Sequence, residues 1–172
     1  GPTGSGKTTP LSTAIDLLNP EDRKIIPAED PVEYQMDGVN QIQVKPAIGL
    51  CFSSVRRSIV RQDPDVILVG EMRDGETARI CVQSALTGHL VLSTLHTNSA
   101  ASSVARLMEM GIEEYLLTST LNGVLSQRLV RKLCTHCRQA YVPSGELIDE
   151  LKLSQVAEED EIILYQPAGC VH

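Results

Sequence analysis

Apolar residues run along this chain in short blocks whose spacing alternates between that of a buried strand and that of a helix. Val66–Val69 is a continuous β-branched and aliphatic run, the pattern of a strand covered on both faces. Leu90–Leu95 reads as a second such strand, and Lys24–Ile26 as a shorter one in which Pro27 is expected to break the run before the acids that follow. The alternation over Gln41–Val44 fits either another strand or a hairpin arm. Elsewhere the period is helical. Lys7–Leu18 predicts a helix stopped by Asn19-Pro20, with Pro10 tolerated close to its start. Phe52, Val55 and Ile59 place a helix over roughly 52–62, ending before Asp63-Pro64. Gly75–Leu86 is helical and apolar on one side; Asn98 or Ser99 caps a helix to about Met110, stopped by Gly111. A last helix is expected over about Glu113–Leu125. Strands and helices that alternate through short turns imply an α/β fold with a parallel sheet.

Composition sharpens this only in places. At 172 residues the chain can bury one core, and with one Phe and no Trp that core must be aliphatic. No run of about 18 apolar residues is present, and no signal peptide is visible. The net charge of −7 is uneven: residues 1–143 hold 15 acids and 14 bases, residues 144–172 hold 7 acids and one base. A nearly neutral main part offers no basic footprint, so no nucleic-acid partner is expected. The run Glu158–Glu161 reads as a solvated face. Of five cysteines, Cys51 and Cys81 stand alone in helix-like apolar stretches and are expected to be buried. Cys134, Cys137 and Cys170 fall in the last segment, where a metal site is favoured over disulfides. The change of character near Leu133 sets expected domains at 1–133 and 134–172.

Gly1-Pro2-Thr3-Gly4-Ser5-Gly6-Lys7-Thr8 fits the phosphate-loop pattern in full. Glycines let backbone N–H groups curl round a phosphate, and the helix that follows aims its free amides at the same anion. Lys7 supplies charge for the β- and γ-phosphates, and Thr8 a hydroxyl for Mg²⁺. Hydrolysis also needs a carboxylate. Glu71 stands at the end of the buried strand Val66–Val69, where sites form in open α/β sheets, although Gly70 precedes it where an Asp is usual. Glu29, Asp30 and Glu33 surround Pro31; they are either three solvated charges or a set in which Glu33 orients or deprotonates a water. His89 and His96 bracket the strand Leu90–Leu95, and His96 is either a polar edge residue or a sensor of the γ-phosphate.

The blocks Glu29-Asp30-Pro31-Val32-Glu33-Tyr34, Arg61-Gln62-Asp63-Pro64-Asp65, Val69-Gly70-Glu71-Met72-Arg73-Asp74 and Thr87–Asn98, with the phosphate loop, resemble in order the conserved boxes of the secretion ATPase superfamily. The resemblance implies a RecA-like P-loop core that here lacks its first strand, ATP with Mg²⁺, and a homo-hexamer working at inner-membrane platform proteins from the cytoplasm. It accounts for Gly70, makes Glu33 the water-activating carboxylate, gives Glu71 the metal contact, and makes His96 the γ-phosphate sensor. Arg56, Arg57 and Arg61 then serve the site or a subunit contact. Cys134-Thr135-His136-Cys137 is a CxxC, and Cys170-Val171-His172 has the first three positions of another. Assembly-type members bind one Zn²⁺ through two such pairs, so the chain is expected to be a piece of a longer protein whose next cysteine after His172 completes the site. In the chain itself weak or no zinc is expected, with 144–172 poorly ordered and His136 or His172 placed too near neighbouring ligands to replace the fourth thiolate well. Gly123–Arg131 leans towards the type II secretion motor over the type IV pilus assembly ATPase. The competing readings are a DNA-translocating RecA-like protein and a zinc-stabilised module with a vestigial nucleotide site.

Overall fold

The computed structural model describes residues 1–19, 23–157 and 162–171, apart from the side chains of Pro46, Ser53, Arg56 and Arg57. The roles expected of Arg56, Arg57, His172 and the acidic run 158–161 therefore lie outside the described residues. Two compact units form, Gly1–Leu129 and Val130–His172.

The first unit is built on a parallel sheet of order β2-β1-β3-β4, comprising β1 (Ile25–Glu29), β2 (Ile42–Gln43), β3 (Val66–Val69) and β4 (Leu90–Ser93). Every residue of β1 and β3 is buried, as expected of strands covered on both faces. Alternate side chains go to opposite layers. Ile26, Ala28, Ile67 and Val69 pack with Val55 and Ile59 of α2 (Phe52–Val60) and Cys81 of α3 (Gly75–Leu86). Ile25, Val66 and Leu68 pack with Ile15 of α1 (Thr8–Leu17), which is fully buried and contributes about 1.5–3 kcal/mol by that burial. α3 also packs through Ala78 and Val82 against Leu107 of α4 (Ala100–Glu109) and Leu117 of α5 (Glu114–Thr120). The result is a sheet between helical layers with the loops after β1, β3 and β4 opening at one end.

Several expectations change. Pro27 lies inside β1, less than 2% exposed, and does not interrupt it. Lys24 and Ala28 turn their carbonyls to β3, whereas Glu29 turns its own towards β2 and accepts Val44 N. Pro27 shares the β2 side, but β2 begins only opposite Ala28, so no ladder N–H is missed. β2 is a two-residue parallel partner of β1 and not a hairpin arm. α2 stops at Val60, with Asp63 at φ 51° ahead of Pro64. Ser99 is the cap of α4: its hydroxyl accepts Ser102 N, and Ser102 returns the bond to Ser99 N. α5 ends at Thr120 instead of running to Leu125, because Thr118, Ser119 and Thr120 donate their hydroxyls to Tyr115 and Leu116 carbonyls and Asn122-Gly123 follow. Cys81 is buried as expected, but Cys51 is half-buried and precedes α2.

In the second unit, β5 (Gln139–Tyr141) pairs antiparallel with β6 (Leu164–Gln166), and Arg138 lies 4.4 Å over the Tyr165 ring. α6 (Gly145–Glu150) is capped by the Ser144 hydroxyl, which accepts Leu147 N. The described part of 144–172 is built of a helix, a short 3₁₀ turn and a strand. The pairing register with β5 supplies the backbone partners that the local sequence does not advertise. No helix among the described residues is long and apolar enough to cross a membrane.

Candidate functional site

The loop 1–7 ends in α1, whose first turn has no side-chain cap, so its N–H groups point outward unused. Gly4 and Gly6 hold φ of +74° and +76°, a left-handed conformation that an L side chain resists. Lys7 Nζ folds back to donate to the carbonyls of Gly1 and Pro2, each at 3.0 Å. The ammonium therefore stands over the loop with its stem already ordered. Pro10 sits in the first turn of α1, where its missing N–H has no intrahelical partner to lose.

Across from the loop, the carboxyl ends of β1, β3 and β4 bring the other groups together. Glu71 follows β3, and its two oxygens are both engaged: Oε1 lies 2.7 Å from His96 Nε2 and Oε2 accepts Arg73 Nε at 2.6 Å. An ionised carboxylate only accepts, so Nε2 carries the proton in that contact. Nδ1 of the same ring is 3.3 Å from Thr3 Oγ1, which links the loop to the strand end. The Glu71 hydrogen bond and charge raise the already high pKa of Arg73, and Asp30, 3.7 Å away, adds a lesser push in the same direction. Thr94 past β4 donates its hydroxyl to Gly70 O at 2.7 Å, and Met72 N donates to Thr94 O, fixing the approach of Glu71. A Cβ on Gly70 would make only ordinary contacts with the backbone of Ala28 and Glu29.

The acidic turn after β1 divides by burial. Glu29 is 9% exposed, and burial pushes its carboxyl above the usual carboxylate range. The Gln41 amide, donating to Glu29 Oε1 at 3.1 Å, opposes this, and the Glu33 charge adds to it. Gln41 also donates to Tyr34 O at 2.8 Å and accepts Met36 N at 2.9 Å, so it pins the loop that carries Glu33. Glu33 itself is exposed.

These groups line one cleft of about 360 Å³: Lys7, Thr8, Glu29, Glu33, Glu71 and His96 all face it. A second cavity of about 370 Å³ is mainly apolar and borders α1, α3 and β4. Charge and donors converge on the first, which is the chemically competent one. Of the expected residues, Glu33, Glu71, His96, Lys7 and Thr8 are brought together. His89 instead bonds Thr87 and Ser84 at the start of β4, on the far end of the strand. Arg73 and Gln41 were not foreseen as site residues; only the place of Arg73 two residues after Glu71 offered a signal. Thr8 hydroxyl and Glu71 carboxylate are oxygen donors of the kind that suits Mg²⁺.

In the second unit Cys134, Cys137 and Cys170 place their sulfurs within 4.8 Å of one another. The Cys134–Cys170 separation is 3.7 Å. Two thiolates at about 2.3 Å from a tetrahedral zinc stand about 3.8 Å apart, so the spacing fits that metal.

A family model described as Type II/IV secretion system protein matches residues 1–172. The chain is 63% identical over 167 residues to the Type II secretion system protein E of Xanthomonas campestris, covering 97% of this chain and 30% of that protein. It is 49% identical over 175 residues to the Type IV pilus assembly ATPase PilB of Pseudomonas aeruginosa, covering 100% and 30%. Among solved structures it is similar to the pilus retraction motor PilT with bound ADP, at a TM-score of 0.64 and 33% identity over 91% of this chain and 50% of that one. The chain spans about a third of the length of the curated relatives it matches.

Proposed function

The chain belongs to the type II/IV secretion system protein family, and from that premise we propose that it is the ATP-hydrolysing core of a motor subunit that powers protein export by a type II secretion system. The observation that carries this reading is the single cleft that unites Lys7 and Thr8 with the Glu71–His96 pair and the acidic turn bearing Glu33. Lys7 and the loop N–H groups offer partners for the phosphates of a nucleoside triphosphate, while the acids that line the rest of the cleft suit the cation that accompanies it. The N–H groups of loop and helix receive the phosphates, and Lys7 exchanges the Gly1 and Pro2 carbonyls for the β- and γ-phosphate oxygens. Thr8 and Glu71 would hold Mg²⁺, which supplies neutralisation of phosphate charge when bound. Glu71 must then shed Arg73, a contact weak enough to exchange because the arginine is 66% exposed. Glu33 orients the attacking water and takes its proton. His96, joined to Glu71 on one side and Thr3 on the other, moves with either and so reports the γ-phosphate.

Identity to the type II secretion system E proteins runs from 50% to 63%, against 49% for the pilus assembly ATPase, and this leans towards export. A type IV pilus assembly motor is the second reading, supported by a match across the whole chain. The same family reading supplies a homo-hexamer, inner-membrane platform partners and a cytoplasmic site of action. Cys134, Cys137 and Cys170 would hold one structural Zn²⁺ together with a fourth ligand from outside the described residues. Replacing Lys7 with Ala in the full-length protein tests the core claim. ATP turnover should fall by at least about 100-fold; near-parental turnover would end the ATPase reading.

A further inference from the structure

The segment after α5 was notable in sequence, yet the hydrolytic scheme gives it no part. It has no regular structure from 121 to 134, but it returns to the phosphate loop, where Leu129 packs near Gly6 and Gln127 bonds the loop directly. Gln127 Nε2 donates to Ser5 O at 2.8 Å and to Gly6 O at 2.9 Å, across more than a hundred residues of sequence. Its two amide hydrogens are thus spent on two consecutive loop carbonyls.

A trans peptide points its N–H opposite to its C=O. Pinning Ser5 O fixes the direction of Gly6 N–H, and pinning Gly6 O fixes that of Lys7 N–H. Both N–H groups are then turned away from Gln127, the direction a phosphate-binding loop requires. Accepting a hydrogen bond also polarises each peptide and strengthens its N–H as a donor. The approach is close. A Cβ on Gly6 would meet Gln127 Nε2 at 2.9 Å, and one on Gly1 would meet Gln127 O at 2.8 Å, so these glycines serve the clamp as well as the curl of the loop. Gln127 is held in turn: its carbonyl accepts Arg128 Nη1 at 2.9 Å, while Arg128 Nη2 donates to Asn98 O, two residues beyond His96.

We propose that Gln127 is a positioning residue for nucleotide phosphate: it pre-orients the N–H groups of Gly6 and Lys7 by gripping the loop from behind. This rests on the ATPase reading above, and the test separates the two. In the full-length protein Gln127→Met keeps length and neutrality but loses both donors. ADP and Mg·ATP binding should weaken about tenfold, the scale of two neutral hydrogen bonds. KM for ATP should rise in parallel while kcat at saturation stays within about threefold, and the nucleotide-free melting temperature should fall by no more than the few degrees that two lost hydrogen bonds account for. Unchanged ADP affinity overturns the proposal, as does a fall in kcat that tracks a lowered melting temperature, which would mark a merely structural role. Gln127→Ala, measured the same way, serves if the first variant does not fold. Failure of the parent protein to bind ADP at all would overturn the ATPase reading together with this one.

Discussion

Replacing Glu71 with Gln should separate catalysis from stability. The change keeps shape and removes one charge at the end of β3. In the nucleotide-free protein it weakens the contacts to His96 at 2.7 Å and to Arg73 at 2.6 Å. Their partners are 45% and 66% exposed, and Glu71 itself 20%, so each pair is worth about 0–1 kcal/mol and the loss is at most about 2 kcal/mol. For a protein of this size or larger that lowers the melting temperature by no more than about 8 °C. The catalytic loss is of another order, because the carboxylate acts where phosphate charge develops. Removal of one such group typically costs about 100- to 1,000-fold in turnover. Steady-state ATP hydrolysis across a Mg²⁺ titration, with thermal melting of the same preparation, measures both. Turnover within threefold of the parent at unchanged Mg²⁺ dependence would refute the role of Glu71. So would a collapse in melting that accounts for the lost activity.

Glu33→Gln should bind Mg·ATP normally and hydrolyse it at least about 100-fold more slowly; full turnover would return Glu33 to a solvated surface acid. Glu29 makes a pH prediction. Its raised pKa means that the fold favours the protonated carboxyl, a contribution fully present below the ordinary value of 4.5 and lost as pH rises through the raised one. Glu29→Gln, neutral throughout, should therefore melt higher than the parent at neutral pH and lose that advantage on acidification towards 4.5; equal melting at neutral pH would contradict it. Freshly purified full-length protein should contain about one zinc per chain, lost on Cys134→Ser. Zinc retained in that variant would rule out the cysteine cluster.

Legibility tracked the range of the interaction that decides each feature. β3 and α3 have the bounds read from sequence, Val66–Val69 and Gly75–Leu86, because an unbroken aliphatic run and a helical period apolar on one side are local signals. The conformation of the loop 1–7 was legible for the same reason: the positive φ falls on Gly4 and Gly6, within one contiguous motif. Pro27 was misjudged, since its cost depends on whether a neighbouring strand needs its N–H. That neighbour, β2, is paired only from Ala28 onward. The end of α5 was misplaced because an apolar helical period continues past the point where hydroxyl groups and Asn122-Gly123 stop the helix.

The sequence by itself determined the chemistry available: a loop for phosphate, acids at strand ends, a histidine past β4, and three cysteines at ligand spacing. Only the tertiary structure decided which of these meet. It buried Glu29 and left Glu33 exposed, although the two acids stand four residues apart and look alike in sequence. It set His96 on Glu71 while turning His89 to the opposite end of the same strand. And it brought Gln127 to the carbonyls of Ser5 and Gly6. Donors and acceptors are fixed by residue type, but a hydrogen bond between segments this far apart is specified by the packing of the sheet and helices that carry them.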